Sequence, residues 1–93
     1  MNRNIDIISQ MRKLDGKFPK REQLVCNFVL ENLETTSFFS QHEIAKAAKV
    51  SVATVNRFCT KIGCGGFRDF QIKLSQNVAV GLQYLGDPKG DGS

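Results

Sequence analysis

The sequence predicts an all-α fold: a compact domain of five helices, in which a helix-turn-helix occupies roughly residues 40–62. Three observations carry that expectation. Apolar residues recur at helical spacing along most of the chain. Serine caps and glycine stops fall where those runs should begin and end. Only Lys49 and Val50 separate one capped helix from the next cap, so the chain must turn sharply between the two. With 93 residues, 41% of them hydrophobic, there is enough apolar material for one modest core and too little for a second domain beside it.

The first helix is expected from Asn4 to Leu14. Ile5 and Ile8 form its core face, Ile7, Met11 and Leu14 lie on a neighbouring stripe, and Gly16 supplies the stop. Pro19 opens the second helix, because its missing N–H costs nothing in a first turn and its fixed φ suits the helix. Leu24, Val25, Phe28, Val29 and Leu33 then mark a broad buried face. Residues 34–38 show no period and read as a connection. Ser40 and Glu43 form a capping box, with Phe39 and Ile44 as a hydrophobic staple across it. The third helix therefore runs from Gln41 to about Ala48, with Ile44, Ala47 and Ala48 facing inward and Ala45 small enough for a close helix crossing. Ser51 caps the fourth, in which Val55, Phe58, Cys59 and Ile62 repeat at i, i+3, i+4 and i+7, and Gly63 ends it as a left-handed cap. The last helix keeps Phe67, Phe70, Leu74, Val78, Leu82 and Leu85 in register, with Ile72, Ala79 and Val80 on a second line. Residues 86–93 contain no apolar side chain and read as a flexible tail or linker, leaving 1–85 as the domain.

Composition removes several function classes. Three cysteines, Cys26, Cys59 and Cys64, lack C-x-x-C spacing, and His42 is the only histidine, so no conventional four-ligand zinc site can be assembled. No cofactor or metal is implied. One histidine and dispersed carboxylates offer no nucleophile paired with a base, so an enzyme is not expected. The start of the chain lacks the apolar block of a secretory signal, and no stretch is apolar enough to span a bilayer. These features favour a cytoplasmic protein with free thiols and no membrane partner. The net charge of +4 is unevenly spread: residues 40–75 carry six basic and two acidic side chains, while residues 1–39 carry six and five. A basic block on a globular stretch suits a polyanion, since each cation meeting a phosphate releases counterion.

The basic block coincides with the fourth helix, and that helix has the character needed to enter a major groove. It is thin at its first turn, apolar on one side and polar on the other. Ser51, Val52, Ala53 and Thr54 are small enough for close approach to base edges, and the exposed N–H groups of that turn suit a phosphate. Asn56 can pair with adenine, and Arg57 with guanine or phosphate. Thr60 and Lys61 complete a polar, cationic face with no acid on it. Gln41 begins the supporting helix, where that helix should cross the DNA backbone. The expected partner is an operator in double-stranded DNA. A contrasting reading makes the trihelical core a docking or dimerisation module that never touches DNA, its last helix being the working surface. Salt dependence separates the two, because groove binding weakens steeply with added salt and an apolar interface does not.

Residues 44–63, containing Val50-Ser51-Val52-Ala53-Thr54-Val55-Asn56-Arg57-Phe58, and the downstream Gly66-Phe67-Arg68-Asp69-Phe70 resemble the N-terminal domain of RpiR-type bacterial regulators. The likeness reaches back through Pro19 and covers about residues 5–80. It implies a homeodomain-like trihelical core and a transcriptional regulator of sugar or sugar-phosphate metabolism genes. It also implies a phosphorylated-sugar effector, bound by an isomerase-like domain that this chain does not include. Two departures stand out. Lys49 occupies a turn position where the family usually has glycine, at a conformational cost that a phosphate contact could offset. The length is that of an isolated head or of a fragment of a longer regulator. Two such heads are expected to pair as a homodimer on half-sites about one helical turn apart, through the surplus stripes at Ile7, Met11 and Leu14 and at Ile72, Ala79 and Val80.

Overall fold

The computed structural model describes residues 6–86, with side chains as far as Ala79. Six helices follow one another in this span: α1 (Ile7–Leu14), α2 (Lys20–Glu31), α3 (Leu33–Thr36), α4 (Gln41–Ala48), α5 (Val52–Lys61) and α6 (Phe67–Gly86). The all-α expectation holds. The addition is α3, a four-residue helix where the sequence reads as a connection. Its sequence, LETT, has no room for a period, so local hydrogen bonding and packing against α2 and α6 decide its conformation. The proposed tail, apart from Gly86, lies outside the described residues, as does Ile5; the side chains of Val80, Leu82 and Leu85 do too.

Helix boundaries follow the capping chemistry. Ser40 accepts the Glu43 N–H at 3.1 Å while the Glu43 carboxylate accepts the Ser40 N–H at 2.7 Å, the reciprocal pair of a capping box. Ser51 caps α5 by accepting the Thr54 N–H at 3.1 Å. Helix α4 closes with the Val50 N–H on the Ala45 carbonyl and the Lys49 N–H on that of Lys46. Helix α5 closes in the same way, from Cys64 to Cys59 and from Gly63 to Thr60. Both are Schellman closures, which need a left-handed residue after the helix. Gly63 takes that conformation freely at φ 101°, whereas Lys49 takes it as an L-residue at φ 62°. The sharp α4–α5 turn thus rests on a strained lysine.

The core forms where α2, α4, α5 and α6 meet, closed at one end by α1. Its fully buried members include Ile7, Met11, Val25, Val29, Ile44, Val55, Phe58, Ile62 and Leu74. Phe58 lies at its centre, its ring centroid 5.2 Å from that of Phe18 and 5.9 Å, edge-on, from that of Phe70. Three facing expectations need correction. On α1 the buried pair is Ile7 and Met11, with Ile8 only half-buried, because α1 wedges between α2 and α6. What reads as a surplus stripe is therefore core. On α2 the buried stripe is Glu22, Val25, Cys26 and Val29, leaving Leu24 at 40% exposure and Phe28 half-buried against Phe39. On α4, Ala45 is buried and Ala47 exposed, since Ala45 lies under the crossing helix.

Two polar links fix the outer helices. The Asn77 side-chain oxygen accepts the Ile7 N–H at 2.9 Å, joining α6 to the start of α1. At the start of α6, the Asp69 carboxylate accepts the Gly65 N–H at 2.8 Å and both its oxygens lie 2.7 Å from Lys73 Nζ. Those two contacts hold the half-buried Asp69 carboxyl below its ordinary range, the lysine being the larger influence. All three cysteines are unpaired and buried. Burial, reinforced by Asp15, pushes the Cys26 thiol up to about 11, and burial raises Cys59 and Cys64 as well.

Candidate nucleic-acid interface

Helix α5 divides into two faces as its sequence period requires. Thr54, Val55, Phe58 and Cys59 are buried, while Ala53, Asn56, Arg57, Thr60 and Lys61 are exposed. Ser51 and Lys49 are exposed at the turn before it, and Val52 is half-buried. The first turn of α5 thus exposes only the small Ala53 beside its Ser51 cap. Gln41, half-buried at the start of α4, donates its side-chain amide to the Val52 carbonyl at 3.1 Å. It ties the two helices together at the rim of this surface.

Thr54 does not share the outward face. It is 2% exposed, its hydroxyl 2.9 Å from that of Ser51 and 3.2 Å from an Arg57 terminal nitrogen, which donates to it. The cap is thereby linked to the arginine through a buried hydroxyl. A β-branched threonine at the third helical position can place its methyl inward and its oxygen toward the cap, whereas period alone put the residue on the flank of the polar face.

The expectation of an acid-free face is overturned by a residue from another helix. Glu22, in the first turn of α2, places its carboxylate oxygens 2.7 Å from Lys61 Nζ and 3.6 Å from Arg57 Nε. The glutamate side chain is 7% exposed, against 58% for Arg57 and 45% for Lys61. Its position was legible in one respect, since Glu22 begins the i, i+3, i+4, i+7 stripe completed by Val25, Cys26 and Val29. A charge on a buried stripe calls for a partner. The preceding Lys20 and Arg21 are exposed at the start of α2.

Elsewhere the surface offers less chemistry. Among the described residues, no group of histidine, cysteine, aspartate or glutamate side chains could hold a metal ion. Among them, too, no helix is long and apolar enough to cross a membrane. A shallow recess of about 390 Å³ beside α6 is lined by Gly65, Gly66, Arg68, Asp69 and Ile72. Among the described residues, the large exposed apolar ones are Phe38 (80%), Ile72 (52%) and Leu24 (40%).

Comparison with known proteins places this surface in context. The pattern describing the helix-turn-helix domain of the rpiR family matches residues 5–81. The HTH-type transcriptional regulator HexR of Pseudomonas aeruginosa is 32% identical over 80 residues, which cover 86% of this chain and 28% of HexR. This chain thus spans somewhat more than a quarter of that relative. Among solved structures, the Vibrio vulnificus NanR protein complexed with ManNAc-6P superposes with a TM-score of 0.76 at 27% identity, covering 87% of this chain and 30% of NanR. The N-terminal domain of the Bacillus subtilis regulator ybbH gives a TM-score of 0.75 at 23% identity, covering 78% of this chain and 89% of that domain, and shares the fold.

Proposed function

The chain belongs to the helix-turn-helix domains of the rpiR family, and from that premise we propose that it is the DNA-binding head of a bacterial transcriptional regulator, with α5 as its recognition helix. The observation that carries this reading is the two-sidedness of α5. One face is locked into the core through Val55 and Phe58, while the other presents Ala53, Asn56, Arg57, Thr60 and Lys61 with no acid on the helix itself. The first turn of α5 supplies backbone N–H groups and the positive dipole end to phosphate or base edges. Lys49, exposed at the turn, and Gln41 at the rim grip the flanking backbone. Thr54 acts indirectly, by holding Arg57 beside the Ser51 cap.

HexR and NanR are several times longer than this chain, and the NanR structure holds a phosphorylated sugar. By analogy, the regulated genes are those of sugar metabolism, and a phosphorylated-sugar effector acts through a domain outside residues 1–93. The head works as a homodimer on paired half-sites in the cytoplasm. With Ile7 and Met11 used in the core, the apolar residues of the second line left for pairing on the described part of α6 are Ile72 and Ala79, of which Ile72 is the large one. Sedimentation near millimolar concentration tests this: Ile72→Asp should convert a weak dimer to monomer, and a wild-type chain already monomeric there would remove the pairing.

Ala53→Glu tests the interface itself. The residue is exposed in the first turn of α5, where an acid complements the helix dipole, so the fold should be retained. In a groove the same acid would face phosphates. Fluorescence anisotropy with labelled duplex DNA should show a loss of roughly tenfold or more in affinity. Unchanged binding by the variant would remove α5 from the interface.

A further inference from the structure

We propose that Glu22 is a positioning residue that sets DNA specificity: it holds Arg57 and Lys61 against the protein, so that both cations reach phosphate only on a duplex that fits α5. The inference rests on the reading of α5 as the recognition helix. Arg57 and Lys61 are four residues apart on one side of α5, and a single carboxylate from α2 meets both, at 3.6 Å and 2.7 Å. Two cations and one acid leave a net charge of one where the α5 sequence alone suggests two.

The carboxylate is not free to swing away. It lies on the buried stripe of α2 with Val25, Cys26 and Val29, and its side chain is 7% exposed. The cations sit on the wet side of the pair and are the mobile partners. Arg57 is held a second time by the Thr54 hydroxyl, which is itself fixed to the Ser51 cap. A poorly fitting duplex, meeting this face through water, offers these cations little more than Glu22 already does. A fitting duplex brings phosphate oxygens close enough to share or replace the carboxylate. An acid held behind the contact cations therefore subtracts from indiscriminate binding and leaves fitted binding largely intact.

The test uses the 93-residue chain, wild-type and Glu22→Gln, with two duplexes of equal length and composition. One is selected from a random pool by the wild-type chain, and the other is its shuffled counterpart. Affinities are measured across a salt series. The neutral amide should strengthen binding to the shuffled duplex by roughly threefold or more and steepen its log K against log salt by about 0.9 for each cation released. The selected duplex should gain less, so the ratio between the two falls. Equal gains on both duplexes, or an unchanged salt slope, would overturn the role of Glu22. If Glu22→Gln does not fold, Lys61→Met carries the test: its salt slope should fall on the selected duplex and stay level on the shuffled one. A fall on both would overturn the proposal. A wild-type chain that binds neither duplex would remove the DNA-binding reading, and this inference with it.

Discussion

Phe58→Ala probes the architecture that holds α5 in place. The ring has no exposed surface and touches Phe18 from the α1–α2 loop and Phe70 from α6, so one truncation loosens three segments at once. Removing a fully buried phenylalanine costs ~3 to 5 kcal/mol, through lost transfer energy and the cavity left behind. A domain of this size has a total stability of roughly 5 to 14 kcal/mol, so the substitution removes about a fifth of it or more. At about 4 to 8 °C per kcal/mol, the melting temperature should fall by ~12 to 40 °C. Phe28, half-buried and stacked on Phe39 with centroids 6.0 Å apart, gives an internal comparison and should cost about 1 to 3 kcal/mol when truncated. Urea denaturation followed by circular dichroism measures both. A Phe58→Ala protein with wild-type stability, or one more stable than Phe28→Ala, would refute the placement of α5 against the core.

Two further substitutions address the turn and the start of α6. Lys49→Gly removes a left-handed L-residue from the α4–α5 turn, and the relieved strain should outweigh the added chain entropy, raising stability by about 0.5 to 1 kcal/mol in a urea melt. DNA affinity should fall in the same variant if the lysine grips phosphate. For Asp69, the folded-state pKa is depressed, so its contribution to stability is present above the unfolded value of 3.8 and lost as pH falls through the lower folded value. Asp69→Asn should therefore be less stable than wild type at neutral pH and converge with it in strong acid; a gap independent of pH would assign the effect to something other than the carboxylate charge.

What could be read from the chain was what is local. The Ser40 box, the Ser51 cap and the Gly63 stop are decided within five residues, and the helix-turn-helix boundaries fall where those residues put them. Facing was harder where two apolar stripes compete on one helix. On α1, both stripes are apolar, and only the wedge between α2 and α6 selects Ile7 and Met11. On α2, Leu24 and Phe28 are more conspicuous than Cys26 and Glu22, yet the latter pair is buried. The candidate interface shows the same division. The exposed positions of α5 follow from its period, but Thr54 turns inward to serve the cap and Arg57. Glu22 reaches the face from about thirty-five residues earlier in the chain, and no period on either helix links the two segments.

The central claim, that α5 with its flanking turn is the surface that meets DNA, is tested most directly by mapping backbone amide shifts as duplex DNA is titrated into the isotopically labelled chain. The account predicts that the largest changes gather at Ser51, Ala53, Asn56, Arg57, Thr60 and Lys61, with a second group at Gln41 and Lys49, and that they shrink as salt is raised. Changes confined to the exposed Ile72 side of α6 and the Phe38 loop, with α5 silent, would contradict it.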